Sequence, residues 1–135
     1  MTDYYGSASW FCCGPAYGGV CPTNQPPGSC GDCRNDSNHG AWPRLKRPGY
    51  EDCDYASSCI TLPWKYCGDS ITVYNQCNGN TVSYYVHTCG PDANAYCNTS
   101  TCGYSNRPAI VDMTPRIFAY FGDLAYGRYP CRATA

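Results

Sequence analysis

Two stretches of the chain alternate apolar and polar residues with a period of two. Residues 71–74 (Ile-Thr-Val-Tyr) and 81–87 (Thr-Val-Ser-Tyr-Tyr-Val-His) follow the pattern of half-buried strands. Between them Cys77-Asn78-Gly79-Asn80 carries an Asn-Gly pair, which supplies the positive φ of a tight turn, so a β-hairpin is predicted. Tyr84 and Tyr85 then point to opposite faces, and at least one reaches the surface. Residues 4–10 read as a first strand with small residues on one face. Ala109-Ile110-Val111 is a short apolar strand, and Arg128-Tyr129-Pro130-Cys131-Arg132 a closing one. One segment has helical spacing. Thr114 suits an N-cap, Pro115 the first helical position, Ile117, Phe118 and Phe121 share a face, and Gly122 ends the run. Residues 12–59 show neither period and are expected to be a crosslinked excursion, with too few aliphatic side chains for a core of its own. Residues 88–108 read as a second Cys-rich loop, and no internal repeat is present.

The chain has 135 residues, enough for one domain. Nine Lys+Arg against ten Asp+Glu leave a net charge of −1, which excludes an electrostatic nucleic-acid binder and a polybasic membrane-surface protein. No apolar run is long enough for a membrane span. Fourteen Tyr, fourteen Gly and eleven Pro describe a loop-rich, mostly β chain.

Thirteen cysteines stand at Cys12, Cys13, Cys21, Cys30, Cys33, Cys53, Cys59, Cys67, Cys77, Cys89, Cys97, Cys102 and Cys131. That density belongs to an oxidising compartment, so a secreted protein is expected. No signal-peptide pattern follows Met1-Thr2-Asp3-Tyr4, and the chain is read as the mature part with Met1 added. Twelve of the thirteen can form disulfides of open connectivity. The odd one is a buried thiol, a bridge to a second chain, or the survivor of a lost partner. Cys30-Gly31-Asp32-Cys33 has zinc-knuckle spacing, but no second pair and only His39 and His87 accompany it. Disulfides are the expected fate of both cysteines, with no metal and no cofactor. Asn35 and Asn98 open glycosylation sequons.

Three segments carry a resemblance. Trp10-Phe11-Cys12-Cys13-Gly14-Pro15 is similar to the Trp-Asp-Cys-Cys-Lys-Pro start of the family-45 glycoside hydrolases. Thr61-Leu62-Pro63 and Cys67-Gly68-Asp69-Ser70-Ile71-Thr72-Val73 with its hairpin resemble the centre of rare lipoprotein A and barwin. Ile110-Val111-Asp112-Met113-Thr114-Pro115 resembles the Asp-Leu-Ser segment of rare lipoprotein A and expansins. Together they imply a mostly β fold, a six-stranded double-psi β-barrel with one short helix and long disulfide-crosslinked loops. Residues 1–135 form a single domain on this reading, with 16–60 as a Cys-rich insertion.

The resemblance also allows a catalytic audit. Glycoside hydrolysis needs two carboxylates. The family-45 base position holds Phe11. The acid of rare lipoprotein A, a lytic transglycosylase in some bacteria, falls on Thr88, and its His on Cys59. Asp112 alone remains as a candidate acid, so no catalytic residue is assigned. Its structural alternative is a carboxylate accepting backbone N–H bonds near the helix start. Asp92 lies nearby, His87 is expected as a strand surface residue, and neither histidine has a credible catalytic partner in the sequence. The family's groove implies a binding surface of Trp10, Tyr17, Tyr85 and Asp112, since aromatic faces stack on sugars. Trp42, Trp64 and the remaining tyrosines exceed what a small core needs.

Three functions are implied. The first is a secreted, non-hydrolytic, expansin-like module that binds cell-wall polysaccharide (cellulose, chitin or peptidoglycan). The second is a defence protein or inhibitor of papain-like cysteine proteases. The third is a glycan-cleaving enzyme of endoglucanase or lytic transglycosylase type, which needs a second acid near Asp112. A monomer is expected.

Overall fold

The computed structural model describes residues 1–56, 60–93 and 99–135, without the side chains of 99–101, 105 and 106. Six strands close a barrel: β1 (Asp3–Trp10), β2 (His39–Trp42), β6 (Ser70–Asn75), β7 (Thr81–Cys89), β10 (Ala109–Met113) and β11 (Arg128–Thr134). Around the barrel their order is β1-β10-β2-β7-β6-β11. β1 runs parallel to β10 and β2 parallel to β7, while the other neighbours are antiparallel, which is the double-psi arrangement. β3 (Arg44–Lys46), β4 (Cys53–Asp54) and β5 (Lys65–Tyr66) make a small side sheet, and β8 (Thr99–Thr101) with β9 (Tyr104–Arg107) an outlying hairpin.

The predicted alternation sets the core. Ile71 and Val73 of β6 and Val82, Tyr84 and Val86 of β7 point inward, while Thr72, Ser83 and Tyr85 point out. Helix α1 (Pro115–Phe121) caps this core with Ile117, Phe118 and Phe121. Two details of its ends differ from expectation. Thr114 occupies the N-cap position but its hydroxyl donates to the carbonyls of Ser37 (2.7 Å) and His39 (3.0 Å), so it fastens the helix to the chain before β2. Gly122 has an extended backbone; a Cβ there would lie 2.2 Å from the Tyr129 ring, so space and not φ selects glycine.

The structure corrects the reading of 12–59 as patternless. His39–Trp42 in its middle is a barrel strand, and β3 and β4 follow. With only four residues, two of them Gly and Ala, β2 has no periodicity to read. It fits because Gly40 has no side chain: a Cβ would meet the Tyr84 ring at 2.5 Å and the Asp112 carbonyl oxygen at 2.6 Å. The Tyr84 hydroxyl then donates to the Ala41 carbonyl at 2.7 Å. The second loop is likewise not structureless, since it contains β8 and β9.

Five disulfides join described cysteines: Cys12–Cys21, Cys13–Cys33, Cys30–Cys67, Cys53–Cys89 and Cys77–Cys102. Cys30 and Cys33 are therefore committed to separate bridges. Each crosslink contributes about 2–4 kcal/mol through the unfolded chain. Cys59, Cys97 and Asn98 lie outside the described residues. Among the described residues Cys131 is the free cysteine and is buried, in line with the first reading of the odd cysteine and not with a bridge between chains. Asn35 is buried, accepts from the Cys13 amide (2.7 Å) and donates to the Pro15 carbonyl (2.8 Å), so as a sequon it is out of reach in the folded chain.

Replacing Gly40 with Ala is expected to lower stability by about 1–3 kcal/mol, because the added methyl meets backbone as well as the tyrosine ring. Thermal unfolding of the variant with disulfides intact measures it; an unchanged midpoint would refute the close approach.

Candidate functional site

Register brings one row of side chains together across five strands. Thr88 of β7 lies beside Ala41 of β2, Ala41 beside Asp112 of β10, Asp112 beside Ser9 of β1, and Ser9 beside Arg128 of β11. Thr88 and Asp112, the two positions that the sequence resemblance matches to acids, are thus two strand spacings apart, about 10 Å. Only one holds a carboxylate.

Asp112 is partly buried and accepts a hydrogen bond from the Ser9 hydroxyl at 3.1 Å. This corrects the alternative reading, in which its partners were backbone amides. Burial pushes its pKa up to about 7, against the lowering effects of the Ser9 bond and the nearby Arg128 guanidinium. Arg128 donates to the Ser7 hydroxyl at 3.2 Å, continuing a polar seam of Asp112, Ser9, Arg128 and Ser7. At the other end of the row Thr88 is partly covered. The Ser29 amide donates to its hydroxyl at 3.1 Å, and the loop approaches so closely at Gly28 that a Cβ there would be 2.9 Å from the Thr88 Cβ. The excursion between β1 and β2 therefore packs against Thr88.

The four proposed surface residues do not form one patch. Ser9 bonds Asp112, so alternation turns its neighbour Trp10 to the opposite face, where its indole Nε1 donates to the Leu124 carbonyl at 3.0 Å. Tyr17 sits in a bridged turn with Cys21 and lines a hollow of about 30 Å³ with Arg34, Asn35 and Asp36, room for about one water. Tyr85 is the exposed member, with 52% of its surface accessible on the outside of β7. Phe11, at the family-45 base position, is partly buried and pairs through its backbone with Met113. Trp42 is fully buried and donates to the Pro63 carbonyl, while Trp64 is half-covered by Arg44 and Lys46. Asp92 is exposed in the stretch after β7.

Sequence reasoning missed the histidines' true partners. His39 and His87 stack on each other, with ring centroids 3.7 Å apart. His39 Nδ1 accepts from the Arg34 amide at 3.0 Å, which assigns its proton to Nε2. His87 Nδ1 lies 3.2 Å from the Gly31 carbonyl oxygen, an acceptor only, so that nitrogen carries the proton. The pair clamps the 31–34 turn from two strands. Desolvation and the neighbouring His87 hold the pKa of His39 below its usual value, against Asp32 and Asp36. Forty-eight positions separate the two rings, and no local signal could have paired them. Another hollow, of about 250 Å³, lies elsewhere, between Ser29, Arg47, Tyr50 and the Cys30–Cys67 bridge.

No protein-family model matches the chain, and no curated protein matches it in sequence. Solved structures do resemble it. A Streptomyces papain inhibitor shares 15% identity at a TM-score of 0.51, over 98% of this chain and 93% of the inhibitor. An apo expansin of Clavibacter michiganensis shares 17% identity at 0.49, and a mutant of that expansin in complex with cellohexaose 15% at 0.48. Both expansin matches cover 98% of this chain and 50% of the expansin, so the chain spans about half the length of those proteins. At this identity the inhibitor's similarity is one of fold, and it runs through almost all of both chains.

Two pH effects of opposite sign follow. The pKa of Asp112 is raised in the folded state, from 3.8 to about 7, so its contribution to stability is fully present below 3.8 and is lost as pH rises towards 7. Asp112→Asn is expected to gain on the parent over that range, by about 2 kcal/mol or more at the alkaline end. Denaturant titrations across pH measure the slope; parallel profiles would refute the burial of this charge. The pKa of His39 is lowered in the folded state, so its protonation in the unfolded chain destabilises the fold as pH falls through 6.5. His39→Gln, whose carbonyl can still accept from Arg34, is expected to flatten that acid limb in the same titrations.

Proposed function

We propose that the protein is a secreted, non-hydrolytic module that binds cell-wall polysaccharide. The observation that carries this reading is the row through Asp112. It keeps one carboxylate, bonded to Ser9, and has a threonine, partly covered by the preceding loop, at the position that the resemblance matches to an acid. Hydrolysis of a glycosidic bond takes two such groups, so a barrel with one is suited to holding a glycan and not to hydrolysing it. The surface supports the holding. Among the described residues, the exposed large apolar side chains after Met1 are all tyrosines, which offer flat faces with a polar tip. Tyr85 stands in the row of Ser70, two residues from Ser83, whose hydroxyl lies 2.9 Å from that of Thr72. Five disulfides support secretion.

A second reading has its own support. The excursion between β1 and β2 is fixed by Cys12–Cys21, Cys13–Cys33 and the two bonds of Asn35, giving a stiff projection that binds a cleft at low ordering cost. The barrel that matches this one across almost its whole length is a papain inhibitor. Inhibition of a papain-like protease is therefore the alternative.

Sedimentation with cellulose, chitin and peptidoglycan tests the first reading. Retention on at least one polymer is expected, reduced about fivefold or more by Tyr85→Ala, with no release of reducing sugar. Papain inhibition without retention on any polymer would select the alternative; sugar release abolished by Asp112→Asn would overturn both.

A further inference from the structure

Outside the barrel, across β1, β11 and β6, arginine and tyrosine alternate. Tyr5 of β1, Arg132 of β11 and Tyr74 of β6 are register partners on adjacent strands. The Arg132 guanidinium lies 4.7 Å from the centre of the Tyr74 ring. At the β1 side Arg107 of β9 lies 5.4 Å from the Tyr5 ring and 4.9 Å from the Tyr104 ring. The result is a ridge, Tyr104–Arg107–Tyr5–Arg132–Tyr74, in which two cations flank one tyrosine. Tyr5 and Tyr74 stand two strand spacings apart, about 10 Å.

The cations of this ridge are not neutralised. Among the described residues neither Arg107 nor Arg132 forms an ion pair; the salt bridges present are Arg34–Asp36 and Arg44–Asp54. The Nε of Arg107 is buried and bonds nothing, so ring stacking and not a carboxylate holds that side chain. In the adjacent row the one acid, Asp3, already accepts from the Thr134 hydroxyl at 2.7 Å. A chain with net charge −1 thus presents a locally positive strip.

What the ridge offers a ligand follows from this stacking. The guanidinium carbons lie over the ring faces, so those faces are not open to a sugar as that of Tyr85 is. The groups left to solvent are N–H and O–H donors, in forks whose geometry matches a carboxylate. We propose that this ridge binds a carboxylate-bearing polysaccharide, a linear polyuronate, with Arg107 and Arg132 each taking a carboxylate on either side of Tyr5. This rests on the polysaccharide reading and names its substrate class and face. The stacked guanidiniums are fixed before the ligand arrives, which lowers the ordering cost of binding.

Native affinity electrophoresis in gels containing polygalacturonate or a neutral soluble glucan tests it, with variants first checked for unchanged thermal unfolding. Retardation by polygalacturonate is expected, falling about tenfold in affinity in Arg132→Gln and in Arg107→Gln, and by less in Arg132→Lys, which keeps the charge and loses the fork. Retardation by the glucan is expected to be the same in all of them. Polygalacturonate binding that survives both Gln variants, or that is removed by Lys46→Gln with Arg47→Gln instead, overturns the ridge. Retardation by the neutral glucan alone overturns the ridge and leaves the polysaccharide reading standing. No retardation in either gel, together with no sedimentation on insoluble polymers, removes both.

Discussion

The barrel closes through one close approach. Strand β2 has room between β10 and β7 because Gly40 leaves space for the Tyr84 ring and the Asp112 carbonyl, and the Tyr84 hydroxyl then ties the ring to Ala41. Without β2 the order would break between β10 and β7, and the row from Thr88 to Arg128 would not exist. The same strand presents His39 to His87 and supplies a carbonyl to Thr114 at the head of the helix. A missing side chain thus connects the core, the candidate site and the helix.

That row also sets which groups the barrel wall brings together. Proton transfer at a glycosidic bond depends on two acids with separated roles. Here the β1–β2 excursion packs onto one of the two positions, and the remaining carboxylate has a hydroxyl and a nearby cation for company. The loop that packs on Thr88 is also one that the disulfides stiffen.

Much of the architecture was legible because it is local. The hairpin declares itself through Asn78-Gly79 and the alternation on both sides, and α1 through Thr114, Pro115 and the Ile117–Phe118–Phe121 face. β1, β10 and β11 were each long or apolar enough to read. β2 was not, since a Gly-Ala pair has no face until Tyr84 and Met113 pack beside it. Of the site, Asp112 was legible by position, but its partner Ser9 is 103 residues away and belongs to another strand. Trp10 and Asp112 were grouped because both lie near the groove of related barrels; alternation separates them. The His39–His87 stack and the arginine–tyrosine ridge depend on register, which no single segment encodes.

Cys131 sits sealed in the core beside Gly6, its thiol pushed up to about 12 by desolvation. In the closed barrel it is shut off from alkylating reagents and from exchange with the five bridges. A thiol label can enter only when β11 leaves its neighbours β1 and β6, an event that opens the barrel. The odd cysteine is thereby a native counter of global openings, one that a surface mutation leaves untouched and a slackened core accelerates.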